Sequence, residues 1–355
     1  MSLPFWSPPP ERYPGHLPEK TDVLVIGGGI AGVSLMHHLE QRRIEAILVE
    51  RSRLASGASG RNAGFMLAGV ADCYAAAVST YGREKAREVW SITSENHDRV
   101  IEAAAGQKVA HRRLGSITLA ASDGERRQLE ESHELMHEDG FESHWDGMGL
   151  LNPRDGEVDP AALVAALARR APSGSIREDV NVTAVEANSG GVIVRSGDDE
   201  CEAGVIVLAT NAYTPLLVTG VKIQPVRAQM IASEPVSRTV SAMPTYSHFG
   251  YRYWRQMPSG EVLIGGWRDT SKDTELTYEA EPSPGIQGHL DSKLAEMAPG
   301  AQVERRWAGI MGFTESGLPL AGPVEGMPNV YICAGFNGHG MGFAFMTAKR
   351  VVESL

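Results

Sequence analysis

The chain has 355 residues, of which 42% are hydrophobic and 22% charged, so length and composition predict a globular protein of two domains, or of one with a large insertion. Its formal net charge of −11 argues against nucleic acid or an anionic membrane surface as a partner. Cys73, Cys201 and Cys333 are too far apart for a zinc site and odd in number for a disulfide framework, which favours reduced thiols, no metal and a cytoplasmic setting.

The N-terminal segment is rich in proline. Residues 4–18, PFWSPPPERYPGHLP, cannot form a helix or a central strand, so we expect residues 1–20 to be an extended arm across the surface. A proline-rich ligand for another domain is the alternative. The chain has no run of about eighteen apolar residues and no basic segment followed by an apolar one at its start, so we expect neither a transmembrane helix nor a signal peptide.

A glycine-rich turn follows the first predicted strand. Residues 23–26 are apolar and mostly β-branched, as in a buried parallel strand, and residues 30–39 have the apolar face of a helix. The G-x-G-x-x-G spacing between them is formed by Gly27, Gly29 and Gly32. This spacing allows a tight turn, close approach of the backbone to a pyrophosphate, and close helix–strand packing. It predicts a dinucleotide site, against the alternative of a plain glycine-rich turn.

The segment after this helix supports the dinucleotide site. A second apolar strand over residues 45–49 ends in Glu50, at the distance expected for an acid that binds a ribose hydroxyl. Residues 51–65, RSRLASGASGRNAGF, are too polar and glycine-rich for core structure. From this position Arg61 or Asn62 can reach phosphate or ring heteroatoms of a cofactor. A mobile surface loop is the alternative.

The middle of the chain interrupts the alternation of strand and helix. Charged amphipathic helices are predicted over residues 82–105 and 124–139, with a strand over residues 114–120 between them. This block is therefore predicted to belong to a second domain. The alternation resumes with a helix over residues 161–170, which begins with the capping residue Asp159 before a proline.

Three strands are predicted next, over residues 180–186, 191–196 and 202–208. The last is apolar and runs into the small and polar sequence ATNAYTP, which includes Ala209 and Thr210. Such an ending is typical of the carboxyl edge of a parallel sheet, where ligands bind.

The pattern then becomes antiparallel. Strands are predicted over residues 226–233, 248–256 and 261–267, with a hairpin turn at residues 257–260, and a helix over residues 285–298 closes the block. Aromatic residues are dense here and can shape a pocket, although ordinary sheet packing explains at least half of them.

The C-terminal part repeats the arrangement of the first glycine turn. Residues 329–334 form an apolar strand, residues 335–342 read GFNGHGMG, and residues 343–355 form a final helix. The N-terminus of that helix can also face the cofactor.

Four motifs, in this order along nearly the whole chain, resemble those of the D-amino-acid-oxidase-like family of FAD enzymes. They are VLVIGGGIAG with Glu50, SGASGRNAGF, RWAGIMGFTESGLPLAG from Arg306, and AGFNGHGMGFAF from Ala334. The resemblance implies FAD bound in an extended form. It also implies that a hydride is removed from the carbon next to an amine nitrogen, which gives an imine that water hydrolyses to a carbonyl product.

The expected fold class is mixed α/β (α+β), with a Rossmann-like FAD/NAD(P)-binding domain and a discontinuous substrate domain built on an antiparallel sheet. We assign residues 21–80, 150–218 and 301–355 to the FAD-binding domain. Residues 81–149 and 219–300 are assigned to the substrate domain.

The resemblance also implies which residues contact the cofactor. Glu50 would bind the adenosine ribose, the backbone of Val182 would meet the adenine, and the last glycine loop would stabilise negative charge on the flavin ring. The residues so implied are Gly27, Gly29, Ile30, Ala31, Gly32, Glu50, Arg51, Ala58, Ser59, Arg61, Asn62, Ala63, Gly64, Val182, Ala209, Thr210, Gly338, His339, Gly340, Met341 and Gly342.

This chain departs from its relatives at the positions of covalent attachment. Sarcosine-oxidase relatives tether FAD through a cysteine in the tryptophan-containing motif, where this chain has Gly309. Others use a histidine beside the first glycine loop, where this chain has Arg61. Neither residue can form that bond, so we expect non-covalent FAD.

The chain also departs at the positions that bind a substrate carboxylate. The arginine used by amino-acid oxidases of the family corresponds to Met311, and the lysine used by sarcosine oxidases corresponds to Gly342. A carboxylate in a dry pocket without a fixed cation costs several kcal/mol. Relatives that oxidise a primary amine on a long chain also lack these cations, which favours an amine substrate. Arg252, Arg255 or Arg268 would restore a carboxylate site, so amino acids stay open.

The predicted function is oxidation of a C–N bond in a small amine or amino acid, by hydride transfer to FAD, in a monomer or small homo-oligomer. We predict Met66, Tyr251, Trp254 and Trp267 as pocket residues and identify no catalytic base. Leu263 stands where sarcosine oxidases have a lysine near the flavin, so oxidase and dehydrogenase are both open. The alternatives are an NAD-dependent dehydrogenase and a non-catalytic FAD-binding subunit.

Overall fold

The computed structural model describes residues 2–188 and 190–355, and within them it contains seven α-helices, two eight-stranded sheets and one three-stranded sheet. The helices are α1 (Ile30–Gln41), α2 (Tyr74–Tyr81), α3 (Arg83–Ala103), α4 (Asp123–Glu138), α5 (Pro160–Ala168), α6 (Pro284–Met297) and α7 (Gly340–Glu353). The strands are β1 (Lys20–Ile26), β2 (Ala46–Val49), β3 (Phe65–Met66), β4 (His111–Arg112), β5 (Ser116–Leu119), β6 (His144–Trp145), β7 (Gly149–Asn152), β8 (Gly156–Val158), β9 (Ile176–Arg177), β10 (Ala184–Asn188), β11 (Gly191–Ser196), β12 (Asp199–Leu208), β13 (Gln224–Ser233), β14 (Thr245–Ser247), β15 (Arg252–Gln256), β16 (Val262–Gly266), β17 (Val303–Phe313), β18 (Leu320–Pro323) and β19 (Val330–Ala334).

The first large sheet has a parallel core. Strands β9, β2, β1, β12 and β19 lie side by side and run parallel. Leu24 and Val25 of β1 are completely buried, as expected for a central strand covered on both faces. The β10–β11 hairpin extends the sheet along the first half of β12, and β18 pairs antiparallel with β19. Helices α1 and α7 pack against each other, and His38 Nε2 lies 3.0 Å from the Phe345 carbonyl oxygen.

The second large sheet has the strand order β17-β13-β16-β15-β14-β5-β7-β6. Its strands pair antiparallel except for β14 with β5, which pair parallel. Helix α6 covers one face and buries Ile286, Leu290 and Leu294 against Trp254 and Trp267. The small sheet has the order β3-β8-β4. The expected mixed α/β class with a parallel and an antiparallel sheet is therefore confirmed.

Two predicted strands are placed differently in the structure. Of residues 180–186, only those from Ala184 onward are in a strand, because the segment before them runs along the large cavity that is described below. Of residues 248–256, the strand begins only at Arg252. His248 and Phe249 both have a φ of 54° and form the turn that joins β14 to β15.

The domain division stays a prediction, but two strands near its boundaries belong to the antiparallel sheet. Val303–Phe313, which we assigned to the FAD-binding domain, pairs with Gln224–Ser233 along its length. Gly149–Asn152 pairs with β5 in the same sheet. Within residues 2–19 of the N-terminal arm, the one recorded β-bridge joins Pro14 to Glu178. None of the helices in the described ranges is long and apolar enough to span a membrane.

Candidate active site

One cavity of about 880 Å³ connects the parallel and the antiparallel sheets. One side is lined by the β1–α1 turn, the loop after β2, the end of β12 and the β19–α7 loop. The other side is lined by residues from strands β13 to β17 and from the segments between them. A long ligand and a small one can therefore share a single enclosed space.

The first glycine turn closes tightly onto its own helix. Gly27 has a φ of 114°, and its N–H donates to the Val49 carbonyl oxygen at 2.8 Å. A Cβ atom on Gly32 would lie 1.9 Å from the Gly27 carbonyl oxygen, which is far closer than any real contact. Position 32 therefore requires glycine for α1 to begin directly against the strand.

Acceptor side chains bind the N–H groups of Gly28 and Ile30 at the start of α1. The Glu50 carboxylate accepts hydrogen bonds from the Gly28 N–H at 2.7 Å and from the Ser52 N–H at 2.9 Å. The Ser59 hydroxyl accepts from the Ile30 N–H at 2.9 Å. Burial raises the pKa of Glu50. A pyrophosphate at the helix N-terminus with its ribose beside Glu50 fits these groups.

The loop after β2 is anchored at many points. The Arg61 guanidinium donates to the carbonyl oxygens of Ser56 at 2.9 Å, Ala308 at 2.9 Å and Ser2 at 3.0 Å. Trp6 of the N-terminal arm is buried, and its indole N–H donates to the Asn62 carbonyl oxygen at 2.7 Å. The loop is thus held against the antiparallel sheet and the arm, which is unlike a mobile surface loop.

Two asparagines fix the second glycine loop. Asn211 Oδ1 accepts from the Gly335 N–H at 2.9 Å, and Asn337 Oδ1 accepts from the Thr314 N–H at 2.9 Å. Asn337 is buried and has a φ of 52°, a conformation that asparagine tolerates better than most residues. These bonds fix the position of the loop next to the end of β17. The sequence analysis identified neither residue as part of the site.

A third asparagine holds the start of α7 from a distant helix. Asn96 of α3 is fully buried; its Nδ2 donates to the Met341 carbonyl oxygen at 2.9 Å, and its Oδ1 accepts from the Met346 N–H at 3.1 Å. The sequence signal was an amide side chain on the apolar face that also carries Val89 and Val100. Such a residue is expected to have buried hydrogen-bond partners.

Three aromatic side chains, Phe65, Tyr246 and Tyr253, form a wall of the cavity that we call the aromatic wall. The ring centroids of Phe65 and Tyr246 are 5.3 Å apart, and those of Tyr246 and Tyr253 are 5.7 Å apart. The rings of His339 and Tyr246 are stacked, with their centroids 6.3 Å apart. Burial raises the pKa of Tyr246, raises the pKa of Tyr253 to about 12, and lowers the pKa of His339. The wall is therefore uncharged near neutral pH.

The predicted cofactor residues come together at this cavity. All of them line it except Gly32 and Gly64. Gly32 packs the helix onto the turn, and a Cβ atom on Gly64 would lie 2.3 Å from the Val158 carbonyl oxygen. Their assignment as cofactor residues stays a prediction, and for these two the structure indicates packing instead of ligand contact.

One of the four predicted pocket residues lines the cavity, and three do not. Tyr251 lines the cavity, whereas Met66, Trp254 and Trp267 do not. Trp254 points to the face opposite Tyr253, where it packs with Trp267 on α6, and Met66 is completely buried in the core. The aromatic density therefore reflects both faces of one sheet.

The three arginines considered for a carboxylate site have different surroundings. Arg255 is buried, lies 2.9 Å from Glu157 and does not line the cavity. Arg252 lies 3.6 Å from Asp269 and is also outside the cavity lining. Arg268 lines the cavity.

The three cysteines lie outside the cavity lining. Cys73, Cys201 and Cys333 are free thiols, and none of them lines the cavity. Within residues 2–188 and 190–355, no cluster of three or more His, Cys, Asp or Glu side chains is placed to hold a metal ion.

A family model described as "FAD dependent oxidoreductase" matches residues 22–354 of this chain. The chain is 25% identical to gamma-glutamylputrescine oxidoreductase of Escherichia coli (strain K12), over 94% of this chain and 83% of that protein. It is 24% identical to glycine oxidase of Bacillus licheniformis, over 95% of this chain and 93% of that protein. The crystal structure of glycine oxidase from Geobacillus kaustophilus has a similar fold, with a TM-score of 0.79 at 20% identity over 95% of both chains.

Proposed function

The chain belongs to the FAD-dependent oxidoreductase family, and on that basis we propose that it oxidises the C–N bond of a small amine or amino acid with non-covalently bound FAD. The observation that carries the proposal is the continuity of one cavity from the first glycine turn to the aromatic wall. Relatives named for an amine, gamma-glutamylputrescine, and for an amino acid, glycine, support this range of substrates.

The residues of the two glycine turns fit FAD. When bound, FAD supplies a hydride acceptor next to the substrate. The first turn and α1 would hold the pyrophosphate through backbone N–H groups, and Glu50 would bind the adenosine ribose. The first N–H groups of α7, at Gly340 and Met341, lack helical partners by geometry and would stabilise negative charge on the bound ring.

The aromatic wall would bind and orient the reacting amine. An apolar, uncharged surface lowers the pKa of an ammonium group and so favours the neutral amine, which can release a hydride from the adjacent carbon. Phe65, Tyr246 and Tyr253 would also exclude water until the imine forms. No separate base is required if the amine binds neutral, in line with the absence of an obvious one in the sequence.

The second glycine turn argues against the nicotinamide-dependent alternative. That alternative needs only the first turn and Glu50, yet α7 and its glycine loop complete the same cavity.

Three free cysteines, two of them buried, support the expected cytoplasmic setting because such thiols persist in a reducing compartment.

Anaerobic reduction of the bound flavin tests the proposed function. We expect purified protein to be yellow, to release FAD on acid precipitation, and to bleach when mixed without oxygen with members of a panel of primary amines, secondary amines and amino acids. Exposure of the reduced protein to air then distinguishes an oxidase from a dehydrogenase. Colourless protein that binds NAD and does not take up FAD would support the nicotinamide alternative, and yellow protein inert to every compound would support a non-catalytic FAD-binding subunit.

A further inference from the structure

We propose that the substrate carries a carboxylate, and that Arg268 binds it inside the cavity. The proposal rests on the proposed function and narrows its substrate class from amines in general to amino acids and N-alkyl amino acids. Its basis is the position of one cation relative to the aromatic wall.

Arg268 is held between two aromatic rings. It lies in the short turn just after β16, where its guanidinium carbon is 4.4 Å from the ring centroid of Tyr251 and 4.9 Å from that of Phe313. A guanidinium that contacts aromatic rings keeps the N–H groups at its edge available for hydrogen bonds. That edge matches the two oxygens of a carboxylate.

Arg268 has no anionic partner in the described part of the protein. The structure records ring contacts for it, but no hydrogen bond or ion pair of its guanidinium. Two other arginines line the cavity. Arg61 is engaged, because its guanidinium donates to three carbonyl oxygens, whereas Arg51 follows Glu50 and stacks on Tyr213 on the cofactor side. A half-buried cation without a counter-ion is costly, and a carboxylate ligand would remove that cost.

The charge of Arg268 reaches the aromatic wall. Burial has the largest influence on the pKa of Tyr253, which it raises, and on the pKa of His339, which it lowers. In both cases the positive charge of Arg268 contributes a downward effect. Arg268 therefore acts electrostatically on both residues, and the negative charge of Asp72 opposes it by raising the pKa of His339.

A second cation strengthens the positive field at this place. Lys272 Nζ lies 5.1 Å from the ring centroid of Tyr251, the same ring on which Arg268 stacks. The neighbouring carboxylate of Asp269 is balanced by Arg252. Arg268 and Lys272 thus place two positive charges next to Tyr251 of the cavity lining, which favours binding of an anionic group beside this ring.

The position used by amino-acid oxidases of the family cannot serve here. Met311 holds its sulfur against the second glycine loop, where a Cβ atom on Gly338 would lie 3.2 Å from it. In this chain the cation comes instead from the connection after β16. We therefore expect the carboxylate to point toward Tyr251 and Phe313.

Paired substrates and paired variants test the proposal. In anaerobic flavin reduction, we compare amino acids with the amines that have a methyl group in place of the carboxylate, such as glycine with ethylamine and 4-aminobutanoate with butylamine. We expect the carboxylated member of a pair to reduce the flavin at lower concentration. Arg268→Gln should raise its KM by about tenfold to hundredfold, with FAD retention unchanged. Arg268→Lys should recover part of the loss, and Arg127→Gln, at an exposed position of α4 outside the cavity lining, should leave KM unchanged.

A titration without turnover separates this proposal from the proposed function. We expect acetate and butanoate to perturb the visible spectrum of the bound flavin, the corresponding alcohols to have no effect, and Arg268→Gln to abolish the perturbation. If no compound reduces the flavin, the proposed function fails while this titration still decides the role of Arg268. Equal binding of carboxylates by the wild-type and Arg268→Gln proteins, or reduction only by amines that lack a carboxylate, would overturn the proposal.

Discussion

The two sides of the cavity depend on the sequence in different ways. The cofactor side presents backbone: glycines at fixed spacing, N–H groups of two helix starts, and one carboxylate at a strand end. The substrate side presents side chains from several strands, such as Tyr246 from β14 and Tyr253 from β15. Backbone contacts impose local rules on neighbouring residues, whereas side-chain contacts depend on sheet register, which no short motif encodes.

The largest effect is expected at the cofactor side, from one methyl group. Gly32→Ala would place a Cβ atom 1.9 Å from the Gly27 carbonyl oxygen, so we expect a loss of at least about 4 kcal/mol in the free energy of unfolding, and loss of FAD retention.

The matched control for this change is Gly288→Ala in α6. A Cβ atom there meets no other atom within 4 Å, so the substitution should stabilise the protein by about 0.5–1 kcal/mol. Chemical denaturation and the FAD content of both variants measure the difference. If the two variants had the same free energy of unfolding and the same FAD content, the contact with the Gly27 carbonyl oxygen would not be what requires glycine at position 32.

A buried carboxyl group behind the aromatic wall should make stability depend on pH. Asp155 is buried and accepts hydrogen bonds from the Ser116 hydroxyl at 2.7 Å and the Ala68 N–H at 2.9 Å. Burial raises its pKa from 3.8 to about 7, so the native state keeps this proton to a higher pH than the unfolded chain. Its contribution to stability is therefore complete below about pH 4 and is lost as pH rises to about 7.

Asp155→Asn should remove this slope. Between pH 4 and pH 7 the free energy of unfolding of the wild-type protein, measured with urea, should fall by roughly 3 kcal/mol relative to that of the variant. Ser116→Ala keeps the titrating group and should keep the slope. A slope of the same size in Asp155→Asn would assign the pH dependence to other groups.

Two neighbours on β15 should separate function from packing on the substrate side. Tyr253→Leu alters the cavity face, so we expect flavin reduction by the best substrate to slow by about tenfold, with FAD retention unchanged. Trp254→Leu alters the opposite face against α6, so we expect a stability loss of about 2 kcal/mol and an unchanged reduction rate per bound flavin. Stopped-flow reduction and thermal unfolding of both variants check this. If Trp254→Leu slowed flavin reduction and Tyr253→Leu only lowered stability, Trp254 and not Tyr253 would face the cavity.

The smallest expected effect is at the ribose end of the cofactor side. Glu50→Gln keeps an acceptor for the Gly28 or Ser52 N–H but removes the charge, so FAD affinity should fall by about 1 kcal/mol, roughly fivefold. Glu45→Gln, at an exposed position before the same strand, should leave affinity unchanged. Equilibrium dialysis of FAD with the two apoproteins decides whether Glu50 acts as predicted.

Local rules account for what the sequence predicted. The first glycine turn and the second strand–glycine–helix unit each follow from a contiguous segment. The fold class followed from the order of such segments along the chain and from the family resemblance of four motifs. Trp254 and Trp267 were grouped with Tyr251 because composition does not tell which face of a strand a side chain takes.

Long-range partners account for what it missed. Asn96 is separated by about 245 residues from the helix whose start it holds, and nothing near it in the chain signals that partner. Arg268 was one of three candidates until the structure showed the ion pairs of Arg252 and Arg255.

The central claim is that the cavity brings the carbon next to a substrate nitrogen against the flavin. The most direct test is anaerobic stopped-flow reduction with the best substrate of the panel, unlabelled and deuterated at that carbon. The account predicts that deuterium slows flavin reduction several-fold. Reduction at the same rate with both isotopologues, or reduction without deuterium loss from that carbon, would contradict it.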